Sequence, residues 1–364
     1  MTTSAARPRV LICGNSTVRS EYVAGEAVAR LSALADWDFL LSEGVCTRPG
    51  VWGGPSDDPA DAERLRNAIA DYDTLIVCHG SAYVDESVMA RAPRLRVIGE
   101  LEGDRFANRI DVAAAAARGI AVVDTTHGSS LPVAEWALGL VLISLRNAAE
   151  HYRRLIGGEE YRRSPEDPGF RCGELTGRSV GLIGLGHIGR RFMELLAPFR
   201  CRVWVHDPYV PKDVALAMGA QLTSLERVMG GCDVVVCCAP LTPATRRMIG
   251  AEQLDLLRTD SVFVNVSRGP IVDPDALIAR ARRGDIRVGL DVFDPEPIPA
   301  ASEIRTLPNV FLSPHIAGVT AANRPRFFSF MVDELERFYA GHETMFDITS
   351  RTLANRGGGP PPLR

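Results

Sequence analysis

The sequence predicts an α/β protein of two doubly wound parallel-sheet domains with a cleft between them, on three observations. The chain has 364 residues, too many for one compact domain and suited to two. Short β-branched runs alternate with helix-like stretches along most of its length, the rhythm of parallel strands joined by crossover helices. The later runs are almost continuously apolar, as strands covered by helices on both faces must be. Both domains are therefore expected to be Rossmann-like or flavodoxin-like open sheets.

In chain order, RVLICG, TLIVCHG, RLRVIG and IAVVDT read as the first strands. The segment from Leu131 to Asn147 reads as a long helix, capped by Ser129 or Ser130 with Pro132 in its first turn. From Glu150 to Gly177 the composition turns to Arg, Glu, Gly and Pro, which predicts a polar surface excursion. The second series of strands is SVGLIG, CRVWVHD, VVVCCAP, VFVNVS, RVGLDVF and NVFLSPH, followed by a helix over Arg326 to Ala340. The Gly/Pro-rich residues 351–364 are expected to be disordered.

Hydrophobic residues at 46 % and charged residues at 24 % fit a globular chain and exclude a disordered or fibrous one. The net charge of −4 is scattered without a long basic run, so nucleic acid is not an expected partner. Lys212 is the single lysine, and its polar surroundings argue against Schiff-base chemistry. The start MTTSAARPR lacks the apolar stretch of a signal peptide, and Leu131 to Leu145 is short for a membrane span and contains Glu135. A cytoplasmic protein with no membrane partner is expected. Eight cysteines without C-x-x-C pairs read as reduced, mostly buried thiols, and no metal site is expected.

Val180 to Gly189 reads VGLIGLGHIG, a strand running into G-x-G-x-x-G and then a helical stretch. Gly184 makes the tight turn, Gly186 lets backbone approach a pyrophosphate, and Gly189 lets the helix pack on the strand. The helix N-terminus offers oriented N–H groups to the phosphates. His187 contributes its backbone rather than its ring, and Ile188 completes the cofactor-binding loop. Asp207 lies 18 residues after Gly189 at the end of the next strand, where its carboxylate can accept the adenosine ribose hydroxyls. Its charge would repel a 2′-phosphate, so the expected cofactor is NAD. The neighbouring His206 is expected to pack against the strand.

Three chemically capable residues follow later strands: Arg268 after VFVNVS, Glu296 after RVGLDVF, and His315 after NVFLSP. Each alone reads equally well as a loop charge, a turn residue or a satisfied histidine. Together they bring a cation, a carboxylate and an imidazole to one sheet edge beside a nicotinamide.

The segments GLIGLGHIGR, HDPY, APLTPATR, VNVSRGPIVD, GLDVFDPEP and SPHIAG, in that order, resemble the D-isomer-specific 2-hydroxyacid dehydrogenases. That family includes phosphoglycerate, glycerate, D-lactate and formate dehydrogenases. The resemblance runs from about Arg94 to about Asp347, and the residues before it match only in their βα rhythm. It implies that Arg268, Glu296 and His315 are a catalytic triad, with His315 as general acid and base paired to Glu296 and Arg268 holding the substrate carboxylate and carbonyl. It implies further that Asp291 contacts the nicotinamide amide and that Pro240 and Thr245 touch the cofactor. The implied activity interconverts a D-2-hydroxy acid and its 2-keto acid, with reduction the favoured direction. The implied organisation is a discontinuous substrate-binding domain of residues 1–127 and 318–350, an NAD-binding domain of 128–317, and a homodimer through the latter.

The chain departs from the family after RLRVIG, where a short glycine-rich loop is usual. Here ELEGDRFANRID, from Glu100 to Asp111, is longer and charged. Either Arg105 or Glu102 meets a polar group of the substrate, or these charges pair with one another at the surface. His79, Gly80, Ser81 and Tyr83, at the exit of an earlier strand, are further pocket candidates. Glu296 argues against a formate dehydrogenase, whose members carry an amide there, and few residues follow the last helix for an appended regulatory domain. Two other readings stay open. One is a non-catalytic NAD(H)-sensing regulatory protein on the same scaffold; the other is an adenosyl-methionine methyltransferase, which leaves the triad without a common purpose.

Overall fold

Two all-parallel sheets organise the residues that the computed structural model describes, namely 7–47, 53–159, 167, 169–170, 173–348 and 350–357. The chain divides into two units, one running to Ser129 and resuming over Ala321–Ala354, the other spanning Ser130–Thr320.

In the first unit, strands β1 (Arg9–Gly14), β2 (Asp36–Leu41), β3 (Thr74–Val77), β4 (Val97–Glu100) and β5 (Ala121–Asp124) lie in the order β2-β1-β3-β4-β5. β3 and β4 are buried at every position because both faces are covered. Leu65, Ile69 and Val88 pack on Leu75 and Val77, while Leu31, Phe327, Phe328 and Met331 pack on Val10, Ile12 and Ile76. The phenylalanines come from the helix Asn323–Tyr339, which returns to this sheet after the whole second unit. β2 escapes the sequence reading because DWDFLL alternates exposed and half-buried positions along a sheet edge, with no continuous apolar run.

In the second unit, β6 (Ser179–Ile183), β7 (Arg202–His206), β8 (Ala220–Leu222), β9 (Val234–Cys237), β10 (Val262–Asn265), β11 (Arg287–Leu290) and β12 (Val310–Leu312) lie in the order β12-β11-β10-β9-β6-β7-β8. The order reverses between β6 and β9, the place where open α/β sheets leave a crevice for ligands. All six sequence-predicted strands are present; β8, three residues long, is the addition. The helix Ser130–Leu145 buries Ala137, Leu140 and Val141 against Leu182, Val234 and Val264. Together with the turn before it, the helical stretch Thr126–Leu145 is long and apolar enough to cross a membrane by length and composition, longer than the sequence reading allowed. Its apolar window is 56 % buried within the protein, as in a core helix.

Two further expectations are corrected. The polar excursion from Glu150 begins inside the helix Ala148–Ile156, and of its remainder residues 160–166, 168 and 171–172 lie outside the described residues. Residues 351–357, expected as disordered tail, belong to the helix Ser350–Gly357, whose Leu353 packs against the first unit's core. The glycines and prolines that follow masked this apolar anchor; residues 358–364 lie outside the described residues.

Candidate active site

Parallel strands end on the same side, so the second sheet gathers its strand exits along one edge. Pairing register places Ile183, Cys237, Asn265, Leu290 and Leu312 in one row across β6, β9, β10, β11 and β12, with His206 beside Ile183. Gly184, Asp207 and Asp291 sit one residue beyond that row, Arg268 and His315 three beyond, and Glu296 six beyond.

The glycine loop has the backbone its sequence demands. Gly184 adopts φ +96°, and a Cβ there would lie 2.8 Å from the amide of Ala239 on the loop after β9. A Cβ on Gly189 would lie 2.5 Å from Gly184 O, so the helix His187–Leu196 packs directly on the strand end. Gly186 is the helix N-cap and no side chain caps it, leaving first-turn N–H groups to face an anion. The His187 side chain is exposed, and Ile188 is half-buried. Asp207 Oδ2 accepts from Leu185 N at 2.8 Å, and Oδ1 accepts from Tyr209 N (2.8 Å) and Val210 N (3.2 Å). An ionised carboxylate has about four acceptor sites, so capacity for a hydroxyl remains. Thr245 donates to Pro240 O (2.7 Å) and accepts from Thr242 N (2.7 Å), closing the loop after β9. His206 lies against its strand neighbours, Nδ1 at 3.4 Å from Thr223 O.

His315 and Glu296 meet directly, with Nδ1 and Oε1 2.7 Å apart. A carboxylate can only accept, so Nδ1 carries the proton of this pair. His315 has φ +53°, a left-handed conformation that costs an L-residue about 1–2 kcal/mol. Arg268 donates from Nη1 to Ser267 O at 2.8 Å. Its loop is held by Asn265, whose Oδ1 accepts from Ser267 N (3.0 Å) and whose Nδ2 donates to Arg268 O (3.1 Å). A Cβ on Gly269 would fall 1.7 Å from Phe293 O, so only glycine lets the Arg268 loop lie on the segment that leads to Glu296.

Asp291 is fully buried, and the sequence reading missed what engages it. Oδ1 accepts from Ser313 Oγ (2.6 Å) and Ile316 N (3.0 Å), and Oδ2 accepts from Ala317 N (2.9 Å). Asn265 and Ser313 carry the only sequence hints: polar side chains at the ends of otherwise apolar strands.

The first unit has its own polar cluster beyond β3 and β4. Arg109 and Glu100 form a fully buried ion pair. Arg109 also donates to Glu102 O (2.9 Å), to Gly53 O and to His79 Nδ1 (3.0 Å). A guanidinium has no acceptor, so Nδ1 accepts and the His79 proton sits on Nε2, which donates to Glu102 Oε2 at 3.1 Å. The Tyr22 hydroxyl donates to the same oxygen at 2.6 Å. Burial raises the Glu100 carboxyl to about 7 against the pull of Arg109. Burial also acts to raise Glu102, but the bonds from His79 and Tyr22 outweigh it and hold Glu102 below the ordinary value.

Of the loop's charges expected to pair with one another, Glu100 and Arg109 do so, though buried rather than at the surface, while Glu102 is held by His79 and Tyr22. Arg105 adopts φ +67° between Asp104 (+57°) and Ala107 (+49°), a strained stretch of loop. Among the pocket candidates, Ser81 is fully buried and donates to its neighbour Ala82 O (3.3 Å), and Gly80 (φ +89°) is pressed against Ser42 O. Both shape the turn that follows β3. His79 and Glu102 keep 31 % and 35 % of their side chains exposed.

Residues 138–317 match the family model for the D-isomer specific 2-hydroxyacid dehydrogenase, NAD binding domain. The D-3-phosphoglycerate dehydrogenase of Methanocaldococcus jannaschii is 34 % identical over 77 % of this chain, which spans about half (52 %) of that relative's length. The glyoxylate reductase of Pyrococcus furiosus is 31 % identical over 86 % of this chain and 88 % of its own. The solved D-mandelate dehydrogenase of Rhodotorula graminis shares the fold, with TM-score 0.76 at 22 % identity over 94 % of this chain and 98 % of that chain. The chain therefore belongs to the D-isomer-specific 2-hydroxyacid dehydrogenase family, and its second unit is that family's NAD-binding domain.

Proposed function

We propose that this protein is an NAD-dependent oxidoreductase that interconverts a D-2-hydroxy acid and its 2-keto acid. The observation that carries the proposal is the His315–Glu296 pair, held at 2.7 Å on the sheet edge that also bears the glycine loop and Arg268. The residues fit the cofactor: a left-handed glycine turn that a Cβ would fill, an uncapped helix N-terminus for the pyrophosphate, and a carboxylate with acceptor capacity for the ribose.

When bound, NADH supplies a hydride to the carbonyl carbon of the 2-keto acid. His315 Nε2 delivers the proton to the carbonyl oxygen, and Nδ1–H stays on Glu296, which stabilises the imidazolium before transfer. Arg268 binds the substrate carboxylate and polarises the carbonyl with its planar fork of donors. In oxidation His315 takes the proton back. The carboxylate at position 296 supports a hydroxyacid substrate over formate, because it gives the imidazole an anionic partner.

Turnover tests the proposal. Purified protein with NADH and a panel of 2-keto acids should lose NADH absorbance, and His315→Ala should abolish the loss; failure across the panel rejects the reading. We further propose a cytoplasmic homodimer. The thiols of Cys13, Cys78, Cys232 and Cys237 are buried and those of Cys46 and Cys201 half-buried, and these six are outside any disulfide, in keeping with a reducing compartment. Tyr152, Leu155 and Ile156 expose apolar surface on one helix of the NAD-binding unit, a face suited to a second copy of the chain. Sedimentation of the pure protein as a monomer would reject the dimer.

A further inference from the structure

The turn that carries His315 is tied down on both sides of that residue by one buried carboxylate. Ahead of it, Ser313 Oγ lies 2.6 Å from Asp291 Oδ1; behind it, the amides of Ile316 and Ala317 donate to Oδ1 and Oδ2 at 3.0 and 2.9 Å. His315 stands between these attachments in a left-handed conformation, φ +53°, with its own amide on Ser313 O at 3.0 Å. The chain does not adopt such a conformation for a non-glycine residue unless its surroundings impose it.

The direction of each bond can be deduced. Trp136, on the helix Ser130–Leu145, places Nε1 2.9 Å from Ser313 Oγ. An indole N–H can only donate, so Ser313 Oγ must accept from it. The serine has one proton left, and two acceptors in reach: Asp291 Oδ1 at 2.6 Å and Leu290 O at 3.3 Å. The nearer, charged acceptor takes it. Trp136 to Ser313 to Asp291 is thus a one-way chain of donors, ending on the carboxylate that holds the two amides after His315.

We propose that Ser313 and Trp136 are positioning residues, whose hydrogen-bond chain to Asp291 fixes the strained turn and thereby aims the His315 imidazole between Glu296 and the reacting carbonyl. The inference rests on the proposed dehydrogenase reading for its catalytic consequence, but the aim of the ring is a property of the protein without cofactor or substrate. Neither residue is among the cofactor and substrate contacts proposed above. Each acts through backbone, and its loss misdirects a ring rather than removing a chemical group. Misplacing a reacting group by about 1 Å costs on the order of a hundredfold in rate.

The test uses Ser313→Ala, Ser313→Thr and Trp136→Phe in the full chain, with two readouts. In cofactor-free protein labelled with 15N-histidine, the wild-type His315 signals should report a proton on Nδ1 bonded to Glu296. Ser313→Ala should shift or broaden those signals, Trp136→Phe should do so less, and Ser313→Thr should restore them. In steady-state reduction of the best 2-keto acid, kcat should fall roughly tenfold to a hundredfold in Ser313→Ala and recover to within a few-fold in Ser313→Thr, while the NADH dissociation constant changes little. A purely structural serine would lower the melting temperature and leave the histidine signals and kcat as they are, which overturns the inference. If Ser313→Ala does not fold, Trp136→Phe decides, since it removes the donor and keeps an aromatic ring in place. If wild-type protein reduces no 2-keto acid, the dehydrogenase reading fails; the histidine signals still decide whether the chain aims the ring.

Discussion

A carboxylate 2.7 Å from His315 Nδ1 orients the ring and also stabilises its charge, and two substitutions separate those effects. Glu296→Gln keeps an acceptor for Nδ1–H and removes the charge, so kcat should fall about tenfold to a hundredfold with KM for the keto acid little changed. His315→Asn removes the proton donor, and kcat should fall by about a thousandfold or more; steady-state NADH oxidation reads both. Arg268→Lys should instead raise KM strongly, because a point charge cannot copy a planar fork. At this scale the sequence exposed the residues proposed to do the chemistry, since guanidinium, carboxylate and imidazole each follow the end of a largely apolar strand. It concealed their partners. Tyr22 and Glu102 are 80 residues apart, His79 and Glu102 are 23 apart, and no local pattern announces that these two side chains donate to the Glu102 carboxylate.

Strands and their connections were the most legible level, because a strand covered on both faces is apolar along most of its length: β3, β4, β6, β9, β10 and β11 are buried at every position, and their polar residues, Thr74, Glu100, Ser179, Asn265 and Arg287, stand only at strand ends. The edge strand β2 and the short β8 lack that signature. The glycine loop was legible for a steric reason that can be tested: Gly189→Ala puts a methyl 2.5 Å from Gly184 O, so the helix must move off the strand. We expect a loss of about 1–3 kcal/mol in denaturant unfolding and weaker NADH binding by titration. The opposite end of the same sheet is pinned by Asp233, which accepts from Ser179 N (2.8 Å), Ser179 Oγ (2.6 Å) and Arg258 (2.9 Å). Partial burial acts to raise its pKa, but these donors prevail and hold it below 3.8. A depressed folded-state pKa means that the unfolded chain takes up the proton first as pH falls. The stabilisation is therefore complete above the unfolded value and is lost as pH drops through the folded one. Asp233→Asn should cost about 1–3 kcal/mol near neutrality, and the gap from wild type should close in unfolding curves measured at increasingly acid pH.

The whole molecule has separate cores in its two units, and the residues proposed to bind the cofactor all belong to the second. NADH at a hundredfold excess over its dissociation constant should stabilise the fold that binds it by about 2.7 kcal/mol. Amide hydrogen exchange should slow most in the loops after β6, β7 and β9; uniform slowing over both units would contradict that assignment. The discontinuity of the first unit has a consequence for how the protein is made. Its five strands leave the ribosome before the helix bearing Phe327, Phe328 and Met331 exists, and all of Ser130–Thr320 must be translated in between. At about 5–20 residues per second that interval is roughly 10–40 s, during which a nascent β-sheet shows a bare apolar flank to its surroundings. Chaperones that shield such surfaces should find their customer in this window, and a translation pause placed late in the message would lengthen it.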